Sequence, residues 1–161
     1  MKRQQIVLLL VVFVSGMTVM AVEMAASRLL APYFGTSLFI WANLIGLVLI
    51  YLTVGYRLGG KLADRHPKPS LLYTITLVAA VFIGIIPFAA KPILRLSAIG
   101  FADLSLGVFY GSLVAVILLF AIPLTLLGMV SPFAIRLNMH RVDAAGSTSG
   151  SIYALSTVGS I

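Results

Sequence analysis

Long stretches without a single charged side chain dictate what this chain is able to fold into. They cover residues 4–22, 29–56, 69–90 and 104–135, and a further one runs over 144–161. A helix that crosses a bilayer needs about 20 consecutive, mostly apolar residues, and the first four stretches supply that length. Only 9% of the residues are charged and 61% are hydrophobic, whereas a soluble domain carries about 25% charge. Lipid is therefore the expected solvent, and the expected fold class is an all-α polytopic membrane protein forming one domain over residues 1–161. Spans are expected over 6–26, 38–58, 70–89 and 106–130. The last stretch opens on small polar residues and reads as the first half of a fifth span, 149–161, whose remainder is missing. No soluble catalytic domain fits along the chain.

The net charge of +7 would point a soluble protein toward nucleic acid, but here the placement of the cations accounts for it. Lys2 and Arg3 precede the first span, Arg57, Lys61, Arg65 and Lys68 separate the second from the third, and Arg136 and Arg141 follow the fourth. The alternate loops hold Arg28, Lys91 and Arg95. Eight cations against three is a positive-inside bias, which predicts a cytoplasmic N-terminus in the cell membrane and leaves nucleic acid unsupported as a partner. The opening "MKRQQIVLLLVVFVSGMTVMA" shares the basic start of a secretory signal. Its apolar run exceeds the usual h-region of about 7–15 residues, so a retained span is the preferred reading. Cysteine is absent, which removes disulfides and thiolate metal sites.

Between the spans, Pro32 and Gly35 break the outer turn, and Trp41 sits near the interface at the start of the second span. Residues 91–105 mix Lys91, Arg95 and Asp103 with apolar residues, a pattern that suits an amphipathic helix on the outer surface or an ordinary loop. Pro123 is expected to kink the fourth span. Glycines recur at spacing four (Gly55 and Gly59, Gly107 and Gly111, Gly146 and Gly150). Such pairs let helices approach closely in lipid, within one bundle, across a dimer or at a moving gate.

Charges inside the apolar stretches are the candidate functional residues, because an ionised group in hydrocarbon wants a cavity or a partner. Glu23 lies late in the first span with Arg28 beyond it, and Asn43 offers a hydrogen bond from the second. The three are a candidate proton or cation site, or a bond that merely fixes the bundle. At the inner end, Pro67 and Pro69 end the second span near Asp64 or Arg65. Cations suit a helix C-terminus and an acid does not, so Asp64 needs a compensating cation, and Arg136 just beyond the fourth span is the expected partner. Solvation among headgroups is the alternative. The four acids (Glu23, Asp64, Asp103 and Asp143) and two histidines (His66 and His140) form no dyad in sequence. Catalytic residues, a metal site and a cofactor are accordingly not expected.

"GGKLADRHPKP" resembles the loop signature between the second and third helices of the major facilitator superfamily, G-x-L-[AG]-D-R-x-G-[RK]-[RK]. Gly60, Leu62, Ala63, Asp64 and Arg65 match it, while Pro67 stands near the place of the later glycine. In that superfamily the Asp locks the inner helix ends together in one state of the cycle. The resemblance therefore implies a gate-like latch built on Gly60, Asp64, Arg65 and Arg136. Taken whole, "VEMAASRLLAPYFGTSLFIWANLIGLVLIYLTVGYRLGGKLADRHP" is similar to the N-terminal membrane half of spermidine synthase-like proteins fused to a major-facilitator-like domain. Glu23, Arg28, Ala31, Pro32, Gly35, Trp41, Gly55, Tyr56, Asp64 and Arg65 fall in that pattern. In longer relatives a soluble aminopropyltransferase domain follows, and its Gly-rich loop has no counterpart here.

The resemblance implies a transporter-like membrane module, resembling the N-terminal part of a major-facilitator-like bundle, that moves a small solute or positions a partner domain. Polyamine is the solute suggested by association. The alternatives are an accessory structural subunit of a larger membrane complex, packed against other membrane helices, or the membrane anchor of a polyamine aminopropyltransferase. Beyond the lipid bilayer, the expected partners are those helices or that soluble domain.

Overall fold

A computed structural model describes residues 2–101, 106–139 and 145–161, with only the backbone described for Lys2. Among these residues the chain forms six helices and no strand: α1 Lys2–Phe34, α2 Leu38–Arg65, α3 Pro69–Gly100, α4 Gly107–Gly128, α5 Val130–Asn138 and α6 Ala145–Gly159. Four stretches are long and apolar enough to cross a membrane: α1, α2, α3, and α4 with α5 taken together. The fifteen residues of α6 are fewer than the roughly 20 that a crossing needs.

The helices outrun the expected spans. At 33 and 32 residues, α1 and α3 measure about 50 Å, against a hydrocarbon core of about 30 Å. The larger correction concerns the region after Ala89, expected as a surface helix or loop. Instead α3 continues through Pro87 and Pro92 to Gly100, and Asp103 lies outside the described residues. The reason is packing. Ala90, Leu94 and Ser97 prolong the buried stripe begun by Leu72, Ile75, Ala79 and Ile86, and burying it against α4 outweighs the hydrogen bonds the prolines forgo. Pro32 within α1 is carried in the same way by Leu30 and Phe34 on either side. Pro123 stays inside α4. The hydrogen-bond pattern changes later, at Met129, whose N–H is shared by the carbonyls of Thr125 and Leu126.

Helices α1 to α4 alternate in direction: Phe34, Asn43, Ser97 and Gly111 lie together at one end, and Leu8, Ala63, Leu72 and Met129 at the other. Gly35 closes α1 with φ +77°, in the left-handed region that glycine enters without steric cost, and its N–H bonds the Ala31 carbonyl. One consequence is that α2 and α4 run parallel. Asn43 meets Ser112 near one end, and Gly59 lies against Met129 near the other. Helix α6 packs along α1, with Gly16 against Ser156, Gly159 against Phe13 and the Ser160 hydroxyl bonded to the Gly16 carbonyl. The most extensive interface joins α2 to α4, followed by α3 to α4.

The spacing-four glycines divide by surroundings. A Cβ on Gly55 would press on the Thr125 carbonyl and lie 2.9 Å from the Gly128 Cα, and one on Gly59 would lie 2.6 Å from the Met129 Cα. Gly111 likewise faces the Ser97 carbonyl. These glycines serve packing within one bundle. Gly146 and Gly150 meet nothing within 4 Å among the described residues.

Two apolar clusters fill the interior. The larger joins α1, α2, α3 and α4. The smaller lies at the end where Arg3, Lys61, Arg65, Lys68 and Arg136 gather, and packs Leu8, Ala63, Leu72, Phe133 and Ile152 from five helices.

Candidate functional site

At this basic end, α2 terminates as its sequence dictates. His66 caps it through an N–H to the Leu62 carbonyl at 2.9 Å, and Pro67 prevents its continuation. Ala63, fully buried, presses the last turn of α2 onto Phe133 and Ala134 of α5. That contact holds Asp64 and Arg136 at adjacent helix ends. Arg136 Nε donates to Asp64 Oδ1 at 3.1 Å, and theirs is the ion pair found among the described residues. Asp64 is 71% and Arg136 44% exposed, so water screens the attraction, and such pairs contribute about 0–1 kcal/mol. A contact this weak fixes little and is readily broken. Arg57, Lys61 and Arg65 are all exposed and lie one turn apart along one face of α2. Gly60 has open space beside it. Arg141, His140 and Asp143 lie outside the described residues.

The three intramembrane candidates are not brought into one site. Five residues along a helix turn the side chain by about 140°, so Glu23 and Arg28 point away from each other. Glu23 is half-buried on α1 and has no hydrogen bond or ion pair among the described residues. Arg28 is exposed and borders a small recess of about 130 Å³ shared with Ser27, Thr36 and Trp41. Asn43 belongs to a different structure. It is buried, and its Nδ2 donates to Ser112 Oγ at 2.9 Å and to the Phe109 carbonyl at 3.1 Å. Ser112 Oγ donates to the same carbonyl at 2.9 Å. This bond joins α2 to α4 and leaves the amide no protons for a solute.

Interhelical hydrogen bonds of this kind average about 0.6 kcal/mol and reach about 1.7. Asn43→Leu is therefore expected to lower bundle stability by about 1 kcal/mol, read as a modest shift of the unfolding midpoint in detergent. A shift several times larger would show that Asn43 does more than join two helices.

Sequence reasoning missed a second region altogether. Midway along α1, a cavity of about 180 Å³ opens between α1, α2, the α4–α5 junction and α6. Seven hydroxyl-bearing residues, Ser15, Tyr56, Ser131, Tyr153, Ser156, Thr157 and Ser160, line it. Each of these is unremarkable in its own stretch of sequence. The available signal was their number on α6 and just past it, where Ser156, Thr157 and Ser160 follow Tyr153 within seven residues. Among the described residues, no three His, Asp or Glu side chains gather to hold a metal ion.

The fold and these sites define the class: a multi-pass helical membrane protein. No protein-family model, no curated protein and no solved structure matches the chain. The likeness to the major facilitator superfamily and to the spermidine synthase-like proteins rests on the motifs alone.

Proposed function

We propose that this chain is a transporter-like membrane module, lying in the cell membrane with its N-terminus cytoplasmic, in which Asp64 and Arg136 form a latch at the cytoplasmic end. The ion pair between the ends of α2 and α5 carries the reading. It joins two helices where a pathway would open, it is too exposed to be a major source of stability, and it involves the acid that the motif assigns to a gate. The concentration of cations at that end supports the orientation. The module moves a small solute or positions a partner domain, a soluble aminopropyltransferase being the partner the motifs suggest.

Paired spin labels at Lys61→Cys and Asn138→Cys test the latch, helped by the absence of native cysteines. In vesicles the latched separation is expected to dominate. Losing up to about 1 kcal/mol through Asp64→Asn shifts the open-to-closed ratio by up to about fivefold. The exchanged pair Asp64→Arg with Arg136→Asp restores the latched state. A separation indifferent to all these variants sinks the gate reading.

Glu23 favours a second reading, an accessory subunit of a larger membrane complex. A carboxyl at apolar depth with no partner among the described residues is stabilised when another chain supplies one. A stoichiometric companion retained in mild detergent, and lost with Glu23→Leu, would establish it.

A further inference from the structure

The hydroxyl-lined cavity between α1, α2, the α4–α5 junction and α6 has a chemistry of its own. Ser160 is engaged, its one hydroxyl proton shared between the carbonyls of Gly16 and Ser156, and Thr157 donates to the Tyr153 carbonyl. The hydroxyls of Ser15, Tyr56, Ser131, Tyr153 and Ser156 have no hydrogen-bond partner among the described residues. Ser15 and Ser131 are 6% and 9% exposed. Elsewhere in these helices Thr18, Thr53, Thr74 and Thr76 donate to the carbonyl one turn back, the usual way for a hydroxyl in a membrane helix to be satisfied. Ser15, Ser131 and Ser156, which line the cavity, make no such bond. These hydroxyls have no protein partner among the described residues, so both their donor and their acceptor capacity stays open to whatever occupies the cavity.

We infer that this cavity binds a small uncharged polyol. The inference builds on the transporter-like reading for what the solute is doing there, but not for whether it binds. No charged side chain lines the cavity, and Glu23 is not part of its wall. A desolvated ion without a counter-charge is costly in such a setting, which argues against a polyamine at this site. Hydroxyls donate and accept equally, so they match a ligand that does both. Val19, Leu52 and Leu127 and the two tyrosine rings supply apolar wall, which suits the C–H faces of a polyol. Tyr56 and Tyr153, 42% and 46% exposed, stand at the rim. The volume of about 180 Å³ equals the share of about six liquid waters, space that a molecule the size of erythritol displaces. Gly16 confines the site, because its Cβ position is taken by the Ser156 backbone.

The test uses the natural lack of cysteine. Ser15→Cys and Ser131→Cys are made separately in the full chain, reconstituted in phosphatidylcholine vesicles, and reacted with a small uncharged methanethiosulfonate. Thr36→Cys, exposed on the turn before α2, is the control for viscosity and osmotic effects. Erythritol at ten times its dissociation constant leaves the site free about one part in eleven of the time. Modification at the cavity positions should then slow about tenfold, while Thr36→Cys reacts unchanged. Spermidine should protect neither position. Three results overturn the proposal: cavity thiols that never react, thiols that react regardless of erythritol because only water is held, and protection by spermidine in place of erythritol. The latch and the site fail separately. Protection by erythritol in a chain whose spin-label separation ignores Asp64 retains the site and removes the gate. A responsive latch with no protection does the reverse.

Discussion

Gly55→Leu is expected to prevent recovery of a monodisperse protein from detergent, whereas Gly46→Leu on the same helix purifies normally. The contrast follows from what each glycine faces. Even a methyl group at Gly55 meets the Thr125 carbonyl and, at 2.9 Å, the Gly128 Cα. These are backbone atoms, so no rotamer change relieves the clash. Around Gly46 nothing lies within 4 Å. Overpacking a core costs about 1–3 kcal/mol where side chains are able to yield. Against backbone it forces α2 and α4 apart and exposes the Asn43–Ser112 bond between them. Gly55→Ala should already cost about 2 kcal/mol or more, while Gly46→Ala should gain up to about 1 kcal/mol from helix propensity. Size-exclusion profiles and thermal unfolding of the four variants decide it. Equal behaviour of the two leucine variants would mean that α2 and α4 do not meet as described.

Phe133→Ala is expected to cost about 2–3 kcal/mol and to loosen the latch as well. Phe133 is fully buried in the cluster where Leu8, Ala63, Leu72 and Ile152 bring α1, α2, α3 and α6 against α5. In water a Phe→Ala core change costs about 3–5 kcal/mol. Within lipid the transfer contribution shrinks, because the tails are as apolar as the core, and the cavity contribution remains. Arg136 follows one turn later on α5, so slack at position 133 also widens its separation from Asp64. The expected result is a lower unfolding midpoint together with a broader spin-label distribution between α2 and α5. Phe88→Ala, at a site 84% exposed, should change neither beyond about 0.5 kcal/mol. An unfolding midpoint that ignores Phe133→Ala would contradict the five-helix cluster.

The number of crossings and the Asp64–Arg136 pair were both legible in the sequence, and for related reasons. A charge in hydrocarbon is costly wherever it sits and whatever surrounds it, so its absence over some twenty residues marks a span one residue at a time. An acid at a helix C-terminus is similarly out of place on local grounds, and the cation just beyond the fourth span compensates it. Glu23, Arg28 and Asn43 were also visible as polar residues in apolar stretches. What each one faces was not visible, since helix rotation depends on neighbours. Asn43 turned to Ser112 on α4, and Glu23 and Arg28 diverged.

Helix length, close approach and the hydroxyl-lined cavity belonged to the tertiary structure. The third span was expected to stop at residue 89, yet α3 passes through Pro87 and Pro92 to Gly100, because the stripe from Ala90 to Ser97 is buried only if it continues. Gly55 and Gly59 announced close packing without saying against what. The cavity hydroxyls come from four separate segments, each too ordinary to notice. Local costs act along the chain and can be read there. Which polar atoms share a space depends on how several helices are rotated and spaced at once, and packing settles that only after the spans have formed.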